Sequence, residues 1–236
     1  MTRTPIWQAI ATELRNDIAD AQYRAGDKLP TEAVLAARFG VNRHTVRRAL
    51  RALADEGLVH ARRGAGVFVT LTPTDYPIGR RVRFHQNVRA AGRVPAKDIL
   101  LTETRVGNER ECEALRLAPG ASVKVCEGLS LADNQPIALF RSVFPAQRFP
   151  DLLEDVAKTR SVTEALARGG VPDYTRASTR FDARLATVTQ ALHLRISEGD
   201  PILRTTNLNV DADRVPVEFG YTWFSGDRVT LTMSDI

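Results

Sequence analysis

Five basic side chains between positions 43 and 51 carry the clearest chemistry in this 236-residue chain. At ~100° per residue in an α-helix, Arg43, Arg47, Arg51, His44 and Arg48 occupy roughly 0° to 140° of one face, and Val46, Ala49, Leu50 and Leu53 occupy roughly 240° to 340°. Arginine forks match phosphate oxygens and guanine edges, and an α-helix fits the DNA major groove. A solvated helix face usually mixes acids with bases, whereas this arc holds no acid. A second basic feature, Arg62-Arg63-Gly64-Ala65-Gly66, joins two short apolar runs. Its glycines permit a tight turn, and its arginines can reach phosphates or a minor groove. A third sits far downstream, where Arg176, Ser178, Arg180 and Arg184 alternate with Ala177, Thr179, Phe181, Ala183 and Leu185. On a strand the first set shares one face and could grip a phosphonate or phosphate. The same pattern also fits a solvated sheet face paired with surface acids.

The elements that position the first cluster are legible from periodicity. Trp7, Ile10, Ala11, Leu14, Ile18 and Ala21 recur at helical spacing after Pro5. Thr31 can cap a second helix with Glu32 in its first turn, and Gly40 ends it. Asn42 caps a third helix that runs to about Asp55, and Gly57 stops it. Leu58–Ala61 and Val67–Thr70 then read as the two strands of a basic hairpin. The order helix, helix, basic helix, basic hairpin predicts a winged helix-turn-helix over residues 1–70, with double-stranded DNA as its partner.

Charge supports that division. The net charge is +5. Residues 1–70 hold eleven Lys/Arg against seven Asp/Glu, while the remainder holds twenty-two against twenty-one. Nearly all the positive excess therefore sits in the first third, where it attracts polyanions. The hydrophobic fraction of 43% and charged fraction of 26% are ordinary for a globular chain. No apolar run reaches membrane-spanning length and no signal peptide opens the chain, so no membrane partner and a cytoplasmic, nucleoid-associated location are expected. Cys112 and Cys126 read as two isolated buried thiols. The four histidines are scattered, so no metal site or cofactor is expected. No nucleophile elbow, phosphate loop or paired catalytic groups appear, and no enzyme activity is expected.

Leu71-Thr-Pro-Thr-Asp-Tyr-Pro-Ile-Gly79 reads as a stiff connector, leaving residues 80–236 as a second domain. That domain carries a weak internal repeat. Ala114-Leu-Arg-Leu leads through Gly120 to strands at 122–132 and 137–144. Some eighty residues later, Ala191-Leu-His-Leu leads through Gly199 to strands at 201–211 and 215–224. Ser161-Val-Thr-Glu164 and Thr187-Val-Thr-Gln190 read as capping boxes. The fold class is therefore α+β: a winged helix-turn-helix followed by an antiparallel sheet with helices. Arg141, Ser142 and Tyr221 are polar interruptions in otherwise apolar strands, and so are candidate ligand contacts.

The segments Gly26-Asp-Lys-Leu-Pro-Thr-Glu32, Phe39-Gly-Val-Asn-Arg-His-Thr-Val-Arg-Arg-Ala-Leu50, Asp55-Glu-Gly-Leu-Val59 and Arg62-Arg-Gly-Ala-Gly-Val-Phe-Val69 strongly resemble the GntR family of bacterial repressors. The resemblance implies that Arg43, Thr45 and Arg47 contact DNA and that Gly64 sits at the wing tip. It departs at Ala33, where members often carry Arg, and at Asn42, where Ser or Thr is usual. The second domain resembles the effector-sensing UTRA domain of the HutC branch, whose fold is chorismate lyase-like. Asp75-Tyr-Pro-Ile-Gly-Arg-Arg-Val-Arg-Phe84, Leu131-Ala-Asp-Asn-Gln-Pro136, Phe144-Pro-Ala-Gln-Arg-Phe-Pro150, Asp173-Tyr-Thr-Arg-Ala-Ser-Thr-Arg180 and Asp227-Arg-Val229 are similar to members that govern phosphonate utilisation. This implies a homodimeric repressor that binds a pseudo-palindromic operator, controls phosphonate or phosphorus metabolism genes, and answers to a small anionic effector. Other branch members would answer to a sugar phosphate or a histidine-pathway acid; an enzyme of the chorismate lyase-like fold is the remote alternative. The resemblance sets Arg83 and Phe84 beside the ligand, and Ser161 and Tyr174 join the candidate set. Where many relatives carry Arg-x-Arg, this chain has Gly128 and Ser130.

Overall fold

The computed structural model describes residues 5–20, 22–62, 64–70, 73–81 and 83–233. The chain divides into two compact units, Met1–Thr72 and Pro73–Ile236.

The first unit is built from α1 (Ile6–Ala19), α2 (Glu32–Phe39), α3 (Arg43–Asp55), β1 (Val59–Arg62) and β2 (Gly66–Val69). Its core follows the apolar spacing. Ile10, Ala11 and Leu14 from α1 meet Leu35 and Ala36 from α2 and Val46, Ala49, Leu50 and Leu53 from α3. Thr31 accepts a hydrogen bond from the Val34 N–H and starts α2; Gly40, at φ 64°, ends it in the left-handed region where a Cβ is disfavoured. Asn42 Oδ1 accepts from the Thr45 N–H at 2.8 Å and fixes the start of α3. β1 and β2 pair antiparallel from Val59↔Val69 to Arg62↔Gly66. Lys28 bridges Phe68 on the outer side, and the Leu29 N–H donates to Val67 O at 2.8 Å, so the hairpin is tied to the chain ahead of α2. Ala21, expected in the first helix, lies outside the described residues.

The second unit holds β3 (Thr74–Pro77), α4 (Phe84–Ala90), β4 (Pro95–Val106), α5 (Glu109–Leu115), β5 (Ser122–Ala132), β6 (Gln135–Pro145), α6 (Leu152–Thr159), α7 (Val162–Arg168), β7 (Thr175–Leu185), α8 (Val188–Leu194), β8 (Pro201–Val210), β9 (Pro216–Ser225) and β10 (Val229–Thr232). Six strands form one antiparallel sheet in the order β4-β5-β6-β9-β8-β7. This order shows a repeat wider than the sequence suggests. Each half is strand, helix, strand, strand (β4-α5-β5-β6 and β7-α8-β8-β9), with β6 and β9 meeting in the middle. Both repeat helices open with a reciprocal capping box, Asn108–Glu111 and Thr187–Gln190, and both close on a left-handed arginine, Arg116 and Arg195. The expected box at Ser161 is half formed. Ser161 Oγ accepts from the Glu164 N–H, while the Glu164 carboxylate turns to Arg168.

Two corrections concern the stretch read as a connector. Thr74–Pro77 is a strand that pairs parallel with β10, from Val229↔Thr74 to Thr232↔Pro77. Tyr76 is buried in a core cluster with Val88, Ile137, Phe224 and Val229. The prolines there mark the flank of a two-stranded ribbon, because Pro77 sits at its end and costs no interior ladder bond. The helices divide between the two sheet faces. α6 and α7 cover one face through Phe144, Phe149, Val156 and Leu166. On the other face α5 packs against Val123, Val143 and Phe219, and α8 packs against Leu129, Leu139 and Ile202.

Candidate nucleic-acid interface and ligand cavity

The four apolar residues of α3 are buried, and Arg43, His44, Arg47, Arg48 and Arg51 are exposed. Thr45 is half-buried beside the Asn42 cap, where its hydroxyl meets Asn42 Oδ1 at 3.0 Å. The arginines are not equivalent. Arg43 and Arg51 make no hydrogen bond or ion pair among the described residues. Arg48 lies over the Trp7 ring, 4.6 Å from its centroid. Arg47 donates from Nε and Nη2 to the two carboxylate oxygens of Glu32 at 2.8 and 2.7 Å. That pair sits at the surface: the Arg47 side chain is 62% exposed and that of Glu32 30%. The hydrogen bonds from Arg47 hold the Glu32 carboxyl below its ordinary range, and the same bonds raise Arg47. On the hairpin, Arg62 lies 4.9 Å over the Phe68 ring and its Nε meets His60 Nε2 at 3.3 Å. Gly64 is exposed at the turn with φ 76°. Arg63 lies outside the described residues. The basic side of α3 is thus solvent-facing, with one acid, Glu32, reaching in from α2.

In the second unit one sheet face, α4, α7 and the residues around β3 line a cavity of about 360 Å³. Of the residues expected there, Arg83, Phe84, Ser142, Ser161, Tyr174 and Arg176 line it, and Tyr221 borders it. Arg83 precedes α4, bonds Asp173 Oδ1 at 2.9 Å and Tyr174 O at 2.8 Å, and stacks 3.7 Å over the Tyr174 ring. Arg176 Nε donates to Asn209 Oδ1 at 2.7 Å, and its Nη1 donates to Thr179 Oγ1 and Asn207 Oδ1. Its partners are all neutral, and burial lowers its pKa first of all causes.

Five residues of the expected sets turn their side chains to the other sheet face. The ladder between β7 and β8 shifts between Arg176 and Ser178, so Arg176 pairs with Asn209 while Ser178 pairs with Leu208 and Arg180 with Thr206. A bulge adds one residue and reverses every later side chain. Ser178 and Arg180 are therefore exposed on the opposite face, and so is Arg184, which bonds Asp182 at 2.5 Å. Arg141 neighbours Ser142 and so points away from the cavity, where it pairs with Glu127. Tyr221 borders the cavity, but it pairs with Arg141, and its ring lies on that other face, 5.8 Å from Trp223 and 5.4 Å from Phe219.

Sequence reasoning missed Lys97, His85, Asn207, Asn209 and Glu218, all of which line the cavity. Lys97 pairs across strands with Ser130, and its ammonium lies 3.8 Å from the Phe140 ring centroid. Burial lowers its pKa, against a raising influence from Glu218. The neighbouring Gly128 has no room for a side chain: a Cβ would lie 2.3 Å from Asp98 O and 2.9 Å from the Phe140 ring. The cation on this wall comes from β4. Glu218 accepts from Ser142 Oγ at 2.6 Å and from Asn209 Nδ2 at 2.7 Å. Burial, then Lys97 and Arg89, lower the His85 pKa. A lone lysine in an alternating strand carries no sequence signal of this kind; only the sheet order brings it to the cavity. Among the described residues no cluster of His, Cys, Asp and Glu suits a metal ion, and no helix is long and apolar enough to cross a membrane.

A basic helix on a helix-turn-helix, joined to a separate α+β unit with a cavity lined by both polar and apolar groups, defines a ligand-responsive DNA-binding regulator. Residues 7–69 match the model for bacterial regulatory proteins of the gntR family, and residues 90–230 match the UTRA domain. The chain belongs to the GntR family of transcriptional regulators, in its HutC-type branch. It is 38% identical to the uncharacterized HTH-type transcriptional regulator RB1450 of Rhizobium meliloti, over 96% of this chain and 93% of that one. It is 32% identical to the probable transcriptional regulator PhnF of Escherichia coli, over 96% and 94%. The crystal structure of PhnF from Mycobacterium smegmatis superposes with a TM-score of 0.68 at 27% identity, covering 96% of this chain and 99% of that one. These relatives are regulators rather than enzymes.

Proposed function

We propose that this chain is a homodimeric, cytoplasmic and nucleoid-associated repressor of phosphonate or phosphorus metabolism genes, released from its operator by a small phosphonate- or phosphate-like anion. Arg43, His44, Thr45, Arg47 and Arg51, with Arg62, Arg63 and Gly64 of the wing, contact a pseudo-palindromic duplex; Arg48, stacked on Trp7, reaches the flanking phosphates. Residues 1–70 form the DNA-binding domain, and the chain beyond the junction binds the effector and dimerises. The effector occupies the 360 Å³ cavity, a volume toward the lower end of small-molecule sites, which run from about 300 to 1,000 Å³.

The observation that carries this reading is the cavity's pair of cations. Arg176 is held only by neutral oxygens, and Lys97 makes no hydrogen bond among the described residues. Neither has a carboxylate within hydrogen-bond distance, and Glu218 acts on both only at longer range, so each can meet an anion. The phosphonate assignment is further supported by stretches of resemblance spread over the whole sensing domain and by the PhnF relatives.

Footprinting the region upstream of the chain's own gene tests the first half: a protected palindrome is expected, and its absence refutes operator binding. Fluorescence anisotropy with that duplex tests the second half. A phosphonate is expected to release the DNA, because a ligand that favours the non-binding arrangement lowers affinity by its coupling free energy. Release by a sugar phosphate or urocanate, with none by phosphonates or phosphate, would reassign the effector.

A further inference from the structure

The basic hairpin of the first unit has a third member. Ahead of α2, residues 26–29 run antiparallel along the outer edge of β2. The Gly26 N–H donates to Val69 O at 3.1 Å, the Val69 N–H to Asp27 O at 2.9 Å and the Leu29 N–H to Val67 O at 2.8 Å, which sets Lys28 opposite Phe68. Across the hairpin, His60 lies opposite Phe68 and Arg62 opposite Gly66. Cross-strand partners send their side chains to the same face of a sheet. Lys28, His60, Arg62 and Phe68 therefore share one face, while Val59 and Val69 point from the other into the helical core. Position 66 shows where the lysine goes. A Cβ on Gly66 would lie 2.8 Å from Lys28 Cε and 3.6 Å from its Nζ. The lysine stem thus crosses β2 at the spot where any other residue would place a side chain. The backbone there, at φ 116°, also favours glycine. The crossing brings the ammonium to the strand position opposite Arg62. Lys28 is exposed and makes no hydrogen bond or ion pair among the described residues. The neighbouring acid, Asp27, gives its carboxylate to the Arg24 N–H at 2.8 Å.

Resting on the DNA-binding reading above, we propose that Lys28 is a functional part of the wing: it binds a backbone phosphate of the operator beside Arg62, and Gly66 is the position that lets it reach. An ammonium is a point charge with three rotatable donors, so it holds a phosphate without reading a base edge. Lys28 then adds affinity and fixes register on the duplex, while sequence preference stays with α3. The face is a composite of two chain segments. The Arg62-Arg63 run is visible as a motif, whereas Lys28 joins it only through the pairing of residues 26–29 with β2.

The test is an anisotropy titration of the full chain against the footprinted operator and an unrelated duplex over a salt series, joined to ethylation interference on the operator. Each phosphate contact contributes about 0.9 to the slope of log affinity against log salt. Lys28→Gln is expected to lower the slope by about that amount and to weaken operator binding about five- to tenfold in 0.1 M salt. The ratio of operator to non-specific affinity should stay within about twofold of wild type, because no base contact is lost. Interference should disappear at one phosphate in each half-site. Lys28→Arg keeps the charge and should recover most of the slope. Lys158→Gln, in the second unit, removes the same charge from a lysine that faces Glu154 at 3.8 Å, and should leave the slope unchanged. An unchanged slope and interference pattern in Lys28→Gln overturns the role of Lys28 and leaves DNA binding standing. So does an equal loss in Lys158→Gln, which would assign the effect to net charge. A wild-type chain that binds no operator overturns the DNA-binding reading itself. The Lys28 side chain is exposed, so its replacement leaves no void in the core, and circular dichroism checks that the variants are folded.

Discussion

The contact between Arg47 and Glu32 makes the sharpest prediction about DNA recognition. In the free chain Arg47 gives the side of its fork, Nε and Nη2, to Glu32. The end of the fork, Nη1 with the outer Nη2 hydrogen, stays available for a guanine edge. Glu32 is set in the first turn of α2 behind the Thr31 cap and is only 30% exposed, so it aims an arginine that is itself 62% exposed. Removing Arg47 should therefore remove a base reading. Arg47→Ala is expected to weaken operator binding about 5- to 150-fold, the usual range for a bidentate base contact. Non-specific affinity should change far less. The slope of log affinity against log salt should stay nearly constant, because a lost phosphate contact would reduce it by about 0.9. Glu32→Gln removes the negative charge that acts on Arg43, His44 and Arg47. Non-specific affinity should rise several-fold, and the ratio of operator to non-specific affinity should fall. The assay is anisotropy titration of both duplexes over a salt series, for each single variant and the double variant. If Arg47→Ala leaves operator affinity within twofold, or if the two substitutions act additively, the aiming role is refuted.

Three further outcomes concern the scaffold. Leu53 is fully buried in the helical core, so Leu53→Ala should cost the first unit about 2–5 kcal/mol in urea denaturation. Asn42→Ala removes the α3 cap and should cost about 1 kcal/mol, read in the same way. Glu111 is 3% exposed, and the hydrogen bonds from Arg105 at 2.7 and 2.8 Å hold its pKa below the ordinary 4.5. A depressed carboxylate contributes stability that is present above its unfolded pKa and lost as pH falls through the folded one. Glu111→Gln should therefore be less stable than wild type at pH 7, and the gap should close in acid below about pH 4; a gap that persists at pH 2 would refute the linkage.

The first unit was legible in the sequence because its information is local. Helical periodicity from Trp7 to Leu53, the Thr31 and Asn42 caps, and Gly40 each act within one or two turns of chain. Tertiary packing agrees with them. The second unit was legible only in outline. Its repeat showed in the short helices and hairpins, yet the edge strands β4 and β7 that complete each half went unrecognised, as did the β3–β10 ribbon. Those pairings join residues far apart in the chain, and no local pattern encodes them.

The candidate cavity shows the same division more sharply. Arg83 and Phe84, expected from the family resemblance, Ser142, expected as a polar interruption, and Ser161, Tyr174 and Arg176 line the cavity. Ser178, Arg180 and Arg184 were misplaced because strict alternation fails at a single bulge, and a one-residue slip turns every following side chain to the other face. Lys97 and Glu218 were invisible because a charged residue in an alternating strand reads as solvated. What made them cavity residues is sheet order and register, which bring β4, β6, β8 and β9 beneath α4 and α7. Local sequence determined which helices form and which of their faces is basic. The long-range pairing of strands decided which charges meet, since a strand's neighbours, unlike a helix's, are set by the rest of the fold.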